Sequence, residues 1–312
     1  MVDDEFLARH GIAKGVMTLV DEERAHTLHA AFPSPREIAG GSAANTMAGL
    51  ASLGSQGAFI GKVKQDRLGA SFATGMAELG VNYATRKSEK GPATACCLIA
   101  VTPDGERSMS TYLGANLEFS SADVEKKTVA DAQILYLEGY LWDAPRAKEA
   151  CLLAVEIAGA SGTKVAFTIS DPFLSHRYRN EFISLLDKKR FDILFANEDE
   201  AKSLFETDSF ESIVARVQRW GGIGALTRSE KGCVIVHGDE THAVRANPVD
   251  RVVDTTGAGD QFAAGFLYAY VRGKPLGACG MLGTIAASEV ISHLGARPET
   301  SLKALAARAG LD

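Results

Sequence analysis

The densest chemistry in the chain lies in the run Asp254-Thr255-Thr256-Gly257-Ala258-Gly259-Asp260. Beyond it, Phe262, Phe266, Ala269 and Tyr270 recur at helical spacing, which predicts a loop feeding directly into a helix over Gln261 to Arg272. The first N–H groups of a helix have no partner inside it, and the helix dipole places positive potential there. The N–H groups of Gly257, Ala258, Gly259 and Asp260 can therefore converge on one spot, and small residues let an oxyanion approach the backbone. Asp260 adds a carboxylate at the edge of that hole. It is placed to accept a hydroxyl proton while the N–H groups hold the group being transferred. Phosphoryl transfer suits such an arrangement, because its transition state asks mainly for positioning and electrostatics. A plainer reading competes: Thr255, Thr256 and Asp260 merely cap a helix. The loop is not a Walker A sequence, since no G-x-x-x-x-G-K-[ST] occurs, and Phe262 stands where a dinucleotide fingerprint needs its third glycine.

The surrounding chain supplies a scaffold for such a loop. From about residue 130, short apolar runs alternate with amphipathic stretches. Ile134–Leu137 precedes a helix opening at Pro145, Val165–Ile169 precedes a helix around Arg179 to Leu186, and Ile193–Ala196 follows. Runs apolar on both faces between helices indicate strands buried in a parallel sheet, and hence a layered α/β core. Two segments break the rhythm. Ala93–Val101, the turn Pro103-Asp104-Gly105 and Glu106–Tyr112 read as a β-hairpin with one wet face, and Gly15–Val20 could be a further strand. A small sheet in the first third suggests a lid; a decorative surface hairpin is the alternative.

Composition narrows the function classes. The 312 residues carry 33 Lys plus Arg against 39 Asp plus Glu, a net charge of −6, which argues against a broad nucleic-acid face. A small anionic ligand is still allowed, because backbone N–H groups can hold it in an acidic protein. The acidic start Met1-Val2-Asp3-Asp4-Glu5 is unlike a secretory signal, and no apolar run approaches the length of a membrane helix. Cys96, Cys97, Cys151, Cys233 and Cys279 form neither a disulfide framework nor a zinc pattern. The expectation is a cytoplasmic enzyme of small molecules, without nucleic-acid or membrane partners.

Two motifs together carry a resemblance. The D-T-T-G-A-G-D run followed by Phe262-Ala263-Ala264-Gly265-Phe266 resembles the C-terminal signature of the PfkB (ribokinase-like) kinases of carbohydrates and nucleosides. Gly40-Gly41-Ser42-Ala43-Ala44-Asn45, more than two hundred positions earlier, resembles their N-terminal signature. The likeness runs on to Gly295-Ala296-Arg297-Pro298. Within the family it is greatest to bacterial adenosine kinases, through Ser110–Ala115 and Tyr136–Asp143. The resemblance implies one ribokinase-like kinase domain over 1–312: three layers, a mostly parallel central sheet, and a small β-sheet lid with strands within about 12–40 and 92–114.

By that match Asp260 is the catalytic base, Gly257, Ala258 and Gly259 form the anion hole, and Gly40, Gly41 and Asn45 lie against acceptor hydroxyls. Glu138 approaches the substrate side of the cleft. Asn197 and Glu200, in an N-x-x-E motif, are placed near the nucleotide phosphates, with Glu200 organising Mg²⁺ through water; read without the family, the same acidic run caps a helix. Thr227, Gly232 and Thr255 fall to the nucleotide, and Asp254 and Thr256 to a monovalent cation such as K⁺. Thr284 and His293 fall near the base region without matching a diagnostic residue there. Family members open with a core strand bearing a G-x-x-x-x-D-like element; Asp3-Asp4-Glu5-Phe6-Leu7 resembles the segment just after it, so this sheet is expected to lack that strand.

The expected activity is ATP- and Mg²⁺-dependent phosphorylation of the adenosine 5′-hydroxyl, by a monomer or homodimer. The alternatives are a ribokinase- or fructokinase-like sugar kinase and a non-catalytic nucleoside-binding relative. An adenosine site needs an aromatic slot, for which Tyr112, Tyr136, Tyr140, Trp142 and Phe173 are candidates.

Overall fold

Nine strands form two sheets in the computed structural model, which describes residues 1–312. The small sheet holds β1 (Met17–Leu19), β2 (Cys96–Val101) and β3 (Arg107–Tyr112) in the order β1-β3-β2. The hairpin forms as its turn residues predict: β2 and β3 pair antiparallel from Cys96↔Tyr112 to Val101↔Arg107. β1 joins β3 in parallel, so the Gly15–Val20 segment is indeed a strand of the same sheet. Along β3, Ser108 and Ser110 are buried, while Arg107, Met109 and Thr111 line a large cleft. That period of two turns one face of the lid towards the chemistry.

The large sheet holds β4 (Ile134–Glu138), β5 (Lys164–Thr168), β6 (Ile193–Asn197), β7 (Ile223–Thr227), β8 (Cys233–His237) and β9 (Glu240–Val244), side by side in chain order. The first four are parallel, and β8 and β9 return as antiparallel hairpins. The inner strands are apolar on both faces, whereas the edge strand β9 is polar and largely exposed. Val165, Phe167, Leu194, Leu226 and Val236 pack with helix Pro145–Ser161 and its neighbours; Ala166, Phe195, Ala225 and Ile235 pack with the opposite layer, helices Ala258–Val271 and Leu276–Val290. The three-layer α/β reading therefore holds. Trp142 is fully buried among Phe167, Phe182 and Phe191, so it belongs to the core and is not available as an aromatic slot.

Two features of this frame position the site. The carboxyl ends of β4, β5, β6 and β7 present Glu138, Thr168, Asn197 and Thr227 along one rim, where open parallel sheets bind ligands. Second, β4 stands at the sheet edge with no strand on its outer side. Residues 58–63 line the same cleft as β4, and the chain there makes only isolated bridges, Ala58 with Asn82 and Lys64 with Ser88. The cleft, about 2690 Å³, continues into that opening.

Candidate active site

The Ala258–Val271 helix starts three residues earlier than its apolar spacing suggests, so Asp260 lies within its first turn. Gly257 is the N-cap, with φ of 79°, and no side chain caps the helix. The Ala258 N–H is taken by the Thr255 carbonyl at 3.3 Å, a correction to the hole expected from sequence. The N–H groups of Gly257, Gly259 and Asp260 have no acceptor in the chain. A Cβ on Gly259 would meet nothing within 4 Å, so the backbone there opens onto free space. Three unpaired donors around a void at a helix N-terminus have the geometry of a cradle that can hold an anion.

Helix Ser42–Ser52 faces the cradle with its own first turn. Ser42 Oγ donates to Asp260 Oδ1 at 2.8 Å and Asn45 Nδ2 donates to Asp260 Oδ2 at 2.9 Å. The two stand one helical turn apart on a single face, which is why both reach the same carboxylate. Gly41 caps this helix without a side chain, and the Ala43 N–H is satisfied from outside by Glu138 Oε2 at 2.7 Å. Glu138 gets there because Ile134, Tyr136 and Glu138 alternate onto the face of β4 that meets this helix. Gly40 has open space where a side chain would stand.

The two carboxylates are electrostatically unusual. Burial pushes the Asp260 carboxyl up to about 6, and the donors Asn45 and Ser42 pull it part of the way back. Burial pushes Glu138 up to about 7, partly offset by the Ala43 N–H and reinforced by the negative charge of Asp260. Perturbed acids facing a cleft are the groups that acid–base chemistry uses.

The remaining candidates divide into those that reach the cleft and those that serve its walls. Asn197, Glu200, Thr227 and Thr255 line it. Asn197 and Glu200 form a reciprocal capping box, Asn197 Oδ1 accepting from the Glu200 N–H while Glu200 accepts from the Asn197 backbone and side-chain amides. Burial pushes Glu200 up to about 7. Gly232 lies outside the cleft lining; it turns the chain between β7 and β8 hard against the Val244 carbonyl. Thr284 and His293 bond within their own segment, to the Met281 carbonyl and to Glu289.

Asp254 and Thr256 are occupied by protein groups. Asp254 is buried and accepts from the Thr256 N–H at 2.9 Å, the Thr256 hydroxyl at 2.6 Å and the Gly295 N–H at 3.0 Å. Arg107, reaching down from β3 of the lid, donates to Thr256 Oγ1 at 2.9 Å. A guanidinium on the hydroxyl and three donors on the carboxylate leave a poor fit for an alkali ion on these side chains. Their evident work is to brace the loop. Asp254→Ala strands those donors, so the urea midpoint is expected to fall by the equivalent of about 2–4 kcal/mol. An unchanged midpoint would deny Asp254 that bracing role.

Sequence reasoning missed Ser42 and Arg107. Ser42 had a signal, one helical turn before Asn45; Arg107 had none, because only the folded hairpin carries it to residue 256.

Residues 9–303 match the pfkB family carbohydrate kinases. A probable sugar kinase from Rhizobium etli superposes with a TM-score of 0.95 at 48% identity, covering 100% of this chain and 94% of that one. The adenosine kinase from Sinorhizobium meliloti superposes at 0.94 with 46% identity, covering 99% and 94%. An uncharacterized sugar kinase from Archaeoglobus fulgidus is 29% identical over 255 residues, 80% of this chain and 96% of its own.

Proposed function

The chain belongs to the pfkB family of carbohydrate kinases, an ATP-dependent phosphotransferase of sugars or nucleosides, and we propose that its acceptor is adenosine, phosphorylated at the 5′-hydroxyl with Asp260 as the base. One observation carries the reading of the site: a carboxylate held by Ser42 and Asn45 at the rim of three unpaired N–H groups. Asp260 takes the acceptor hydroxyl proton as the oxygen attacks phosphorus. Gly257, Gly259 and Asp260 N–H groups hold the travelling phosphoryl oxygens, where preorganised donors act most strongly. Asn45 and Gly40 bound the acceptor side, and the lid supplies Arg107 beside the loop.

ATP, when bound, would supply the phosphoryl group, and Mg²⁺ would neutralise its charge. The open space at Gly259 fits a phosphate. Glu200, with Asn197 at the end of β6, fits a hard ion that keeps most of its waters and needs few carboxylates. Adenosine as acceptor is supported by the likeness to the Sinorhizobium meliloti enzyme and by Tyr136 and Tyr140 in the cleft.

A second reading has its own observation. The probable sugar kinase from Rhizobium etli is as similar to this chain as the adenosine kinase is, so a free sugar is the competing acceptor. Assay of adenosine, ribose and fructose with ATP and Mg²⁺ decides between them. Turnover of adenosine is expected; turnover of ribose or fructose without adenosine overturns the choice.

The base must be ionised to accept a proton. Its raised pKa therefore predicts kcat/KM falling on the acid side with a midpoint near 6, rather than near the ordinary aspartate value. Asn45→Ala removes a donor to the carboxylate and should move that limb to higher pH. A limb at about 4 would mean that the Asp260 carboxyl is not raised in the working enzyme, and a limb that Asn45→Ala leaves unmoved would take Asp260 out of the proton transfer.

A further inference from the structure

Behind the acceptor helix sits a cation that the mechanism above does not use. Arg297 Nε donates to Asn45 Oδ1 at 3.4 Å, and its Nη2 is buried without a partner. No carboxylate pairs with it, and the guanidinium does not line the cleft. Gln261, fully buried on the Ala258–Val271 helix, ties the Asn45 backbone to the same loop, donating through Nε2 to the Asn45 carbonyl and to the Ala296 carbonyl, each at 2.9 Å. Asn45 is thus held from behind at both its carbonyls, while its Nδ2 faces Asp260 at 2.9 Å.

We propose that Arg297 is a positioning residue that locks the Asn45 side-chain amide with its oxygen away from Asp260 and its N–H₂ towards it. The inference rests on the reading of Asp260 as the base. An amide can be turned end for end at little steric cost, because its oxygen and nitrogen are nearly the same size. Opposite an ionised Asp260, only the N–H₂ orientation is favourable. Once Asp260 has taken the acceptor proton, the reverse orientation competes, since a carboxylic acid can donate to the amide oxygen. A guanidinium has donors and no acceptor, so it accepts only the oxygen of Asn45 as a neighbour and removes that second state. This gives a half-buried cation with no carboxylate partner and a buried, unpaired Nη2 a reason to be there, since desolvating that nitrogen has a cost that a packing role does not require.

Charged and titratable groups around Asp260 come from four directions: Glu138 and Tyr136 on β4, Arg107 from the lid by way of Thr256, Asp254 beneath the loop, and Arg297 by way of Asn45. The experiment therefore isolates one pair rather than a pH profile. Adenosine turnover is measured for the parent, Arg297→Met, Asn45→Ala and the double variant, with urea midpoints for each. Arg297→Met is expected to lower kcat/KM by about tenfold in the parent, the scale of one hydrogen bond to a charged group. In the Asn45→Ala background it should lower kcat/KM by less than about twofold, because the amide it holds is gone. Arg297→Lys, which keeps the charge and a donor, should fall between parent and Arg297→Met, and it carries the cycle if the methionine variant does not fold.

Equal losses in both backgrounds, tracking the urea midpoint, would reduce Arg297 to a packing residue and overturn the proposal. An Asn45→Ala variant as active as the parent would sink the site reading itself, and this inference with it; the two failures are told apart by that single variant.

Discussion

Asp260→Asn is expected to lower kcat by about three orders of magnitude or more, while ATP binding stays close to that of the parent. The size follows from what the substitution removes. General-base assistance alone contributes about 10²–10⁴-fold. Asn is isosteric with Asp and keeps one acceptor for Asn45 Nδ2, and its own N–H₂ can donate to the Ser42 oxygen, so the shape of the site survives. The anion cradle is made of backbone N–H groups, which the change leaves in place. The same variant should be more stable than the parent. A carboxyl raised to about 6 from 3.8 is one the folded chain prefers protonated, so its ionised form opposes folding at pH 7–8. That cost vanishes below the unfolded pKa and is fully present above about 6. Removing the charge should therefore stabilise by about 1–2 kcal/mol at pH 8 and by almost nothing at pH 4. Turnover by single-cycle assay and urea midpoints at the two pH values check both halves. Near-normal turnover would remove Asp260 from the mechanism; a lower midpoint at pH 8 would deny that its ionisation is a cost to the fold.

What the linear chain disclosed and what it concealed follow a physical pattern. Strand runs apolar on both faces, the proline opening the 145 helix and the Pro103-Asp104-Gly105 turn act over a few residues, so their signals sit in the sequence and the elements appear where the periodicity places them. The cradle was legible for the same reason: a glycine-rich run at a helix N-terminus is a local object. Its detail was not. Whether the Ala258 N–H is free depends on where the Thr255 carbonyl points, and that depends on Asp254 bracing the loop. Residues acting across the fold were the hardest. Arg107 meets Thr256 across 149 positions and Arg297 meets Asn45 across 252. Neither has a spacing to read, because the separation is set by how the lid and the C-terminal loop pack. The Asn197–Glu200 pair is a local object too, and it serves two readings at once. A motif read for its ligand doubles as a capping box, and local geometry alone accounts for every hydrogen bond it makes.

The two glycines of the cradle should respond to alanine in opposite ways, and the contrast tests the cradle directly. Gly257 has φ of 79°, in the left-handed region, and a Cβ there would stand 2.7 Å from the Ala296 carbonyl oxygen and 2.8 Å from its Cα. Both are backbone atoms of a loop that Gln261 and Asp254 hold in place, so neither can give way cheaply. Gly257→Ala is therefore expected to cost about 2–4 kcal/mol of stability and most of the activity together. Gly259 lies inside the helix, and its Cβ would meet nothing within 4 Å. Alanine there improves helix propensity by up to about 1 kcal/mol, so the urea midpoint should hold or rise. Yet the methyl group would stand beside the free N–H groups of Gly259 and Asp260, the donors that the proposed function assigns to the phosphoryl oxygens. Preorganised donors at such a site are worth about 10²–10³-fold in kcat each, and a phosphoryl group displaced by one methyl radius loses their alignment. A folded, equally stable Gly259→Ala protein with kcat down about a hundredfold is the expected outcome. Parent-like turnover in that protein would mean the phosphoryl group is held elsewhere, and a loss of stability as large as that of Gly257→Ala would mean the open space at Gly259 belongs to the fold rather than to the ligand.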